Sequence, residues 1–409
     1  MKLFNRKPAD YLEMPYAADL SEKLITIDRT DKYLGHPDLV MTDVGRLLIV
    51  YPAGHGQGQI IMKSSDDFGK TWSERRCDLP KSWARSQETP TIYNLHFTDG
   101  HTKLILISGA PYWKPTIRDG VLIPERRPDG FNFSFSDDNG ETWSDPAVLC
   151  PEPRWHQSCT AVDIYDGKVT LVYEKWVADG HKWPGVGPVL MQASVDADLT
   201  QASSWKFSEL YNPDGDLEAA RPSGIPVVPP GEPGILETNV VRMYDKTSSF
   251  YDSTGRSLVL MCRAHLGVPE IGVMLRGYER EDGSLAIGRL PRKDGEVYFV
   301  HIPGADLKFY VLYDPEMQLY WLLHSQTDGR MNARRRLALS YSPDLLRWTF
   351  AGLVAVGPSD HSARHYATMI LDGDDLCIVS RSGDENARTA HDGNIVTFHR
   401  VRRFRDLVY

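Results

Sequence analysis

Polar and charged residues gather in this sequence where apolar runs meet loops, and histidine and arginine are prominent among them. Histidine can transfer protons near neutral pH, and arginine can hold a carboxylate through paired N–H groups. Together they predict a polar site that binds a ligand and moves protons. The candidate set is His36, Asp38, His55, Gln57, Arg85, Glu88, Trp155, His156, Glu174, Lys175, Glu237, Asn239, Arg263, His265, His324, Arg330, His361, Arg364, His365, Tyr366, Arg381 and Asp384.

Other chemistries find little support in the sequence. A single histidine is more often a hydrogen-bonded structural residue than a ligand. His361 and His365 are four residues apart, which would suit a metal ion on a helix, but here a loop runs into a strand. The sequence has no glycine-rich phosphate loop, nucleophile elbow or dinucleotide fingerprint. It therefore predicts neither a metal site nor a cofactor.

The elements that must position these residues are short strands in pairs. In each pair a strand runs into a turn with Asp or Gly and then into a second, more apolar strand, which is hairpin chemistry. After most pairs comes a further strand pair joined by an Asp-rich turn. Six such hairpins are found, at residues 38–54, 91–110, 160–176, 240–264, 309–326 and 366–383.

Six regularly spaced units of about four strands predict an all-β fold, a six-bladed β-propeller of antiparallel blades. Residues 23–30 (KLITIDRT) are predicted to add the outer strand to the last blade and so close the ring. We expect a leader at residues 1–22 and a single propeller domain at 23–409. Counts of five or seven blades remain open, because the fourth unit has an irregular insert.

A repeated turn supports this blade pattern. The motif Ser-x-Asp-x-Gly-x-Thr-Trp occurs at residues 65–72 and 136–143, and degenerate copies occur at 194–205 and 342–348. The Asp can accept backbone N–H groups, the Gly can take a positive φ, and the Trp can pack beneath the turn. The turn is predicted to fasten outer strands together, so its acids are not counted as catalysts.

The composition of the chain argues against two classes of binding partner. The 409 residues are 41% apolar and carry a net charge of −9 without a long basic run, which argues against a nucleic-acid partner. No apolar run approaches membrane-spanning length, so no membrane partner is expected.

The N-terminus has no signal-peptide core, which predicts a cytoplasmic protein, or a periplasmic or secreted one if a signal peptide has been removed. Five cysteines without CxxC spacing are expected to be free thiols.

The repeated turns and the blade order resemble those of the sialidase (neuraminidase) superfamily of β-propellers. In that family three arginines bind the sugar carboxylate, a tyrosine activated by a glutamate is the nucleophile, and an aspartate is the acid/base. A phenol suits this role because a carboxylate nucleophile would be repelled by the substrate's own carboxylate. The resemblance implies a glycoside hydrolase that removes a terminal, anionic sugar from a glycan.

Four segments resemble the family's site strands in the correct order. ILETNVVRM places Glu237 as the base, LVLMCRAH places Arg263 as the second arginine, and RHYATMILDGDDLCIV places Tyr366 as the nucleophile. HSQTDGRMNARRRLALSYS implies that Arg330 or Arg334 is the third arginine, and Arg330 is preferred because it lies in the loop. The run ARRRL itself is expected to be a solvated edge with one inward arginine.

Two family positions differ in this chain. The segment LGHPDLV has Gly35 in the slot of the first arginine, with His36 beside it. The loop YPAGHGQGQ lacks the acid/base aspartate, and His55 is its ordinary proton-transfer group. Arg29 or Arg85 are candidates to replace the missing arginine.

The expected site residues follow from these matches and departures. The catalytic candidates are Tyr366, Glu237 and His55, and the substrate-binding candidates are His36, Arg263, Arg330, Arg85, His156 and Arg381. Three functions remain open on the same fold: a sialidase-like glycosidase, a polysaccharide lyase or histidine-dependent glycosidase, and a non-catalytic carbohydrate-binding propeller. The first is preferred, with the sugar being a sialic acid, a uronic acid or a related residue.

Overall fold

The chain folds into six antiparallel sheets, which are the blades of a β-propeller. The computed structural model describes residues 24–54, 59–85, 87–118, 121–150, 155–156, 160–178, 184–216, 234–292, 295–327 and 329–408, with the backbone alone at 85, 87, 88, 110–118 and 121–129. Within this part of the chain, no helix is long and apolar enough to cross a bilayer.

Blades 1 to 3 occupy the first half of the chain. Blade 1 contains β2 (Asp38–Met41), β3 (Leu47–Pro52) and β4 (Ile60–Ser65). Blade 2 contains β5 (Gln87–His96), β6 (Thr102–Arg118), β7 (Val121–Ser136) and β8 (Ala147–Leu149). Blade 3 contains β9 (Trp155–His156), β10 (Asp163–Tyr165), β11 (Lys168–Trp176), β12 (Val186–Ser194) and β13 (Lys206–Phe207).

Blades 4 to 6 occupy the second half. Blade 4 contains β14 (Ile235–Val241), β15 (Ser257–Ala264), β16 (Ile271–Glu279), β17 (Leu285–Arg292), β18 (Gly295–Val297) and β19 (Phe299–His301). Blade 5 contains β20 (Tyr310–Asp314), β21 (Leu319–Ser325), β22 (Arg336–Ser342) and β23 (Thr349–Val356). Blade 6 contains β24 (Arg364–Asp372), β25 (Asp375–Ser382), β26 (Ile395–Val401) and, from the start of the chain, β1 (Ile25–Arg29). Short 3-10 helices span Lys81–Arg85, Ala202–Ser204 and Phe404–Leu407.

The pairing of β1 with β26 closes the ring as predicted, with Ile25 opposite Phe398 and Arg29 opposite Ile395. The six blades are confirmed, but the expected uniform four strands are not, because blade 1 has three strands and blades 3 and 4 have additional short ones. The extra strands pair with β11 in blade 3 and with β16 and β17 in blade 4.

The core is divided among the interfaces between neighbouring blades. Each of six apolar clusters joins two successive sheets, so no blade buries its faces alone. At the closing interface Ile49 of blade 1 packs in one cluster with Val379 and Phe398 of blade 6. The closure is therefore stabilised by apolar burial as well as by strand pairing.

Hydrogen bonds between the inner strands fix the blades around the central channel. The backbone N–H of Ile92 in blade 2 donates to Asp38 Oδ2 of blade 1 at 2.9 Å. Asn239 of blade 4 donates to the carbonyl of Phe309 at 3.2 Å and accepts from the N–H of Val311 at 2.9 Å, both next to or in β20 of blade 5. Such contacts set the position of each inner strand, and hence of the residues at its start.

The repeated Asp turn has the predicted geometry. Asp67 accepts the backbone N–H of Thr71 at 2.9 Å and its hydroxyl at 2.6 Å. Ser65 Oγ accepts the N–H of Gly69, whose φ is +83°. The hydrogen bonds from Thr71 lower the pKa of Asp67 to about 2. The carboxylate is thus occupied by its own turn, in agreement with a structural role.

The second copy repeats these contacts, with Thr142 donating to Asp138 at 2.8 and 2.6 Å. This turn follows β7 and leads to β8, so it fastens the outer strands of its blade. The degenerate copy at residue 196 differs, because Asp196 accepts from Thr98 of blade 2 at 3.0 and 2.6 Å instead of closing its own turn. It therefore links two blades.

The buried histidine His324 leads to a prediction on stability. Its ring lies 3.2 Å from the carbonyl of Ser325 and 3.0 Å from Ser340 Oγ, and burial lowers its pKa from 6.5 to about 4. Between these two pH values the unfolded chain binds a proton that the folded chain does not, so His324 lowers the free energy of unfolding as the pH falls, by up to about 1.4 kcal/mol per pH unit.

We expect His324→Gln to be less stable than the wild type at neutral pH, and the difference to shrink on acidification from pH 6.5 to pH 4. Urea unfolding across this range measures the difference. His361→Gln, which replaces an exposed histidine, is the control and should follow the wild-type curve in parallel. A constant difference between the His324→Gln and wild-type curves would contradict the assignment.

Candidate functional site

Glu237 and Tyr366 lie at equivalent irregularities in the inner strands of blades 4 and 6. In blade 4, Leu236 is opposite Arg263 and the next regular pair begins at Asn239, so residues 237 and 238 form a bulge. In blade 6 the register between β24 and β25 shifts in the same way, between residues 365 and 368. Bulges re-aim side chains and are frequent beside active sites. Both strands start at the face of the propeller that we call the mouth.

The backbone at both bulge positions is unusual. Glu237 has φ +52° and Tyr366 has φ +49°, and few non-glycine residues adopt this region. Such a conformation costs on the order of 1–3 kcal/mol and persists only where the surrounding contacts enforce it. The two side chains are therefore held in place by packing and hydrogen bonds.

Arg263 joins these two residues. Its Nη1 donates to Tyr366 Oη at 2.9 Å and to Glu237 Oε2 at 3.0 Å, while its Nε donates to the carbonyl of Asp306 at 3.0 Å. Its side chain is 4% exposed, against 12% for Glu237. The phenol of Tyr366 and the carboxylate of Glu237 thus share one donor nitrogen of Arg263, at the mouth of the channel.

Positive charge surrounds the ring of Tyr366. The guanidinium carbon of Arg381 lies 4.0 Å from the ring centroid and that of Arg334 lies 5.3 Å from it. Burial, the largest single effect, and the charge of Glu237 would raise the pKa of Tyr366, whereas the charge of Arg263 lowers it. Arg334 and Arg381 act in the same direction as Arg263, and the three charges together hold the pKa of the phenol below its ordinary value. A lowered pKa activates a nucleophile.

Two histidines complete the surroundings of the phenol. The ring of His36 packs at 4.3 Å from the ring of Tyr366, with a tilt of 48°. His365 lies between two guanidinium groups, with Arg334 Nη1 2.9 Å from Nδ1 and Arg381 Nε 3.2 Å from Nε2. Burial and these two charges hold the pKa of His365 well below its ordinary value. A neutral ring here lets two arginines approach Tyr366 together.

A buried carboxylate supports the position of Glu237 from blade 3. Glu174 Oε1 accepts the backbone N–H of Glu237, and the Glu174 side chain is fully buried. His156, which is paired in register with Glu174, has its Nδ1 4.0 Å from the other carboxylate oxygen. Glu174 therefore binds the backbone at the point where φ is positive.

Asp306, in the segment between β19 of blade 4 and β20 of blade 5, supports the arginines. Its carbonyl accepts from Arg263, and its Oδ2 accepts the N–H of Asn332 at 2.6 Å. Burial raises the pKa of Asp306, and the nearby charges of Arg263 and Arg334 oppose that effect. Asp306 thus ties the loop that carries Arg334 to the strand that carries Arg263.

The structure brings together five of the residues predicted from the sequence: Tyr366, Glu237, Arg263, His36 and Arg381. His156 is connected to the cluster through Glu174. His55 and the side chain of Arg85 lie outside the described residues. Whether each of these residues acts in catalysis or binding stays a prediction.

The preference for Arg330 over Arg334 is corrected. The side chain of Arg330 is 66% exposed and its Nη1 lies 3.7 Å from Asp360 Oδ2, whereas Arg334 is buried beside Tyr366. Arg334 is the inward member of the ARRRL run, because it stands just before β22 and packs against the start of β24, where Arg364 N–H donates to its carbonyl at 2.7 Å. The loop position of Arg330 leaves it at the rim.

The structure also explains how the chain differs from the family pattern at the first arginine. A Cβ at Gly35 would meet the ring of Pro52, so the slot of the first family arginine has no room for a side chain unless Pro52 moves. Arg29, a suggested substitute, forms an ion pair with Asp384 instead. Arg381 from blade 6 supplies the third guanidinium beside Tyr366, from a different strand. Glu174 was a candidate only as one of many polar residues, and Asp306 gave no signal.

Comparison with known proteins shows similarity of fold without close sequence relatives. No protein-family model matches the sequence, and no curated protein matches it. A Dyadobacter fermentans protein of unknown function is 12% identical, with a TM-score of 0.57 over 94% of this chain and 99% of that chain. The α-L-arabinanase of Penicillium chrysogenum, complexed with arabinobiose, is 12% identical, with a TM-score of 0.55 over 94% and 98%. The NanB sialidase of Streptococcus pneumoniae is 12% identical, with a TM-score of 0.54 over 97% and 72%.

These structural similarities assign the chain to a class of proteins that is defined by fold. The chain is a six-bladed propeller of the type found in sialidases and arabinanases, and the resemblance seen in its turns is confirmed at the level of the fold. The neighbours with a named activity are glycoside hydrolases.

The charge around Tyr366 can be tested by titration. With isotope-labelled tyrosine, we expect one NMR signal to titrate below the others, to disappear in Tyr366→Phe, and to move to higher pH in Arg263→Gln, because the nearest positive charge is lost. Arg276→Gln is the matched control, since it removes an arginine from the face of another tyrosine, Tyr278. A Tyr366 signal that does not respond to Arg263→Gln would contradict the assignment.

Proposed function

We propose that the protein is a glycoside hydrolase that removes a terminal anionic sugar from a glycan, with Tyr366 as nucleophile and Glu237 as its base. The observation that carries the proposal is the shared contact at Arg263, which lies within 3.0 Å of both the phenol and the carboxylate. The two reacting groups come from different blades and meet at the mouth, where substrate can enter.

The charge of the site supports an anionic substrate. Arg334 and Arg381 hydrogen-bond His365, Asn332 and Tyr33, which are neutral groups. Within the described residues these contacts leave the two positive charges unneutralised, although the whole chain has a net charge of −9. Guanidinium groups bind carboxylates in paired geometry. A sugar carboxylate would supply the missing negative charge.

The chemistry follows from these positions. Tyr366 Oη attacks the anomeric carbon, its proton passes to Glu237, and the bond from that carbon to the leaving oxygen breaks. The leaving oxygen takes a proton from an acid, for which His55 remains the candidate from the sequence. Water then attacks the glycosyl-tyrosine and gives a proton to the group that acted as the acid, while the phenol takes back its proton from Glu237 as the bond to Tyr366 breaks. A neutral phenol avoids the repulsion that a carboxylate nucleophile would meet.

A second candidate function is a glycosidase with two carboxylates, Glu174 and Glu237, acting on a neutral sugar. The contact of Glu174 with the backbone of Glu237 favours it, because two carboxylates are then neighbours. The arabinanase of similar fold, crystallised with arabinobiose, is a precedent for a neutral substrate. The full burial of Glu174 argues against direct attack on a sugar. Glu174 fits better as a residue that positions Glu237.

Substitution of the nucleophile tests the proposal. On a panel of chromogenic sialosides, uronides and arabinofuranosides, we expect Tyr366→Phe to lower kcat/KM by about three orders of magnitude or more, since the attacking atom is removed. Glu237→Gln should lower it by about 10²–10⁴-fold, the usual contribution of a general base. Tyr244→Phe, at a half-exposed tyrosine near the end of β14, is the control. Full activity of Tyr366→Phe on the best substrate would overturn the mechanism.

Substitution of Glu174 tests the positioning role. Glu174→Gln keeps an oxygen that can accept the N–H of Glu237, whereas Glu174→Ala leaves that buried donor without this partner. We therefore expect Ala to lower kcat far more than it changes KM, and Gln to restore most of the rate. Equal loss in both variants would instead indicate that the charge of Glu174 takes part in the reaction.

A further inference from the structure

His365 is the residue that Arg334 and Arg381 share. It lies on β24 immediately before Tyr366, and its side chain is fully buried. Arg381 stands opposite it in the register of β24 and β25, and its Nε lies 3.2 Å from ring nitrogen Nε2. Arg334, from the loop before β22, has its Nη1 2.9 Å from the other ring nitrogen, Nδ1. One imidazole ring therefore separates two guanidinium groups beside Tyr366.

The two contacts with His365 cannot both be hydrogen bonds at the same time. A guanidinium only donates, and a neutral imidazole has one N–H group and one nitrogen that accepts. His365 is neutral, because burial and the two positive charges hold its pKa well below its ordinary value. At one ring nitrogen an arginine N–H finds an acceptor, and at the other it faces the N–H of the ring. One of the two arginines is therefore short of an acceptor, whichever nitrogen carries the proton.

The described residues offer few other acceptors to these two arginines. Arg334 has a long contact with Asn332 Oδ1, at 3.5 Å, and Arg381 donates to Tyr33 Oη. Arg381 Nη2 is buried and has no hydrogen-bond partner among the described residues. A buried donor without an acceptor is costly. The pair is thus arranged to receive an acceptor that this part of the chain does not supply.

An acidic residue in place of His365 would remove this shortage. A carboxylate can accept from two guanidinium groups at once and would neutralise one of their charges. Arg263 is held in this way, by the carboxylate of Glu237. The imidazole instead holds Arg334 and Arg381 side by side and leaves both positive charges available for a ligand.

We propose, on the basis of the glycosidase function above, that His365 determines the preference for an anionic terminal sugar. It positions Arg334 and Arg381 beside Tyr366 without neutralising them, and the carboxylate of the sugar supplies the acceptor that they lack. His365 acts through these arginines, so it is a positioning residue and touches no reacting atom. The favoured substrate class is a glycan that ends in a sugar carboxylate, which is a sialic acid or a uronic acid.

Calorimetry with paired ligands tests this role. Free sialic acid and free glucuronic acid are each compared with the amide of the same carboxyl group, which keeps the shape of the sugar and loses its charge. We expect the wild type to bind at least one acid about tenfold or more tightly than its amide, because hydrogen bonds between a guanidinium and a carboxylate are charged at both ends. The two arms show which sugar acid the site takes.

His365→Gln and His365→Glu are a matched pair that differ in charge and hardly in shape. The Gln variant is neutral and its oxygen can accept from an arginine, so it should keep most of the wild-type preference for the acid. The Glu variant should lose about tenfold or more of that preference, since its carboxylate occupies both arginines. His361→Gln and His361→Glu are the control pair, at an exposed histidine four residues upstream, where solvent screens the added charge and the preference should not change.

Two results would overturn the role of His365 while leaving the glycosidase proposal intact. One is a preference for the acid that survives in His365→Glu, and the other is an equal loss of preference in both His365 variants. Equal binding of acid and amide by the wild type, in both arms, would overturn the anionic terminal sugar together with the role of His365.

A crystal structure of the wild type with its preferred acid keeps the role testable if neither variant folds. One arginine should then bind the carboxylate and move away from His365, to a distance beyond about 3.5 Å from the ring nitrogen, while the other keeps its hydrogen bond. If both contacts stay at 2.9 and 3.2 Å with the carboxylate bound, His365 does not have this role.

Discussion

The buried guanidinium of Arg263 is the contact on which the site depends. An isolated buried charge is costly, so it needs partners that are fixed in place. Arg263 has three of them: the carboxylate of Glu237 in blade 4, the hydroxyl of Tyr366 in blade 6, and the carbonyl of Asp306 in the segment that leads from blade 4 into blade 5. It stands on β15, whose residues are all buried, so its own position is rigid. One side chain thereby fixes the relative positions of three blades and lowers the pKa of the phenol.

The bulges explain how such different residues reach one place. A regular strand would point alternate side chains into the flanking blade interfaces. The register shifts in blades 4 and 6 interrupt this alternation at the mouth, and blade 2 has a similar shift between Gln87 and Thr91. The propeller repeat therefore provides equivalent positions, which carry Glu237 in one blade and Tyr366 in another. Function differs between blades because the residue at the bulge differs.

The fold followed from sequence because its signals are local. Each hairpin has its own turn residues, and the Asp turns repeat with fixed spacing, so six units could be counted without knowing any long-range contact. The long hairpin formed by β6 and β7 could not be predicted in this way, since four prolines within its strands (Pro111, Pro115, Pro124 and Pro128) argue against strand structure. The short additional strands of blades 3 and 4 are also too brief to give a periodic signal.

Site residues could be predicted from the sequence only where they lie in a strand segment that resembles the family's. Glu237 and Tyr366 were placed through resemblance, but their positive φ angles could not be foreseen, because neither residue type favours them. Arg334, not the preferred Arg330, lies beside Tyr366, because sequence shows that a loop is near the site without showing which side chain turns inward. Glu174 and Asp306 act through contacts with residues that are 63 and 43 positions away along the chain. Such contacts form between segments that are distant in sequence, so no local pattern announces them.

Charged side chains are bound differently at the two faces of the propeller. In the intact Asp turns, the carboxylates of Asp67 and Asp138 are held by hydrogen bonds within the turn itself. At the mouth, Arg334 and Arg381 are buried beside a phenol and bound by neutral groups. The first arrangement is complete without a ligand, and it stabilises the blades. The second leaves positive charge where water is scarce, and because fixed charges act most strongly in such a place, the mouth is the face on which binding and catalysis are expected.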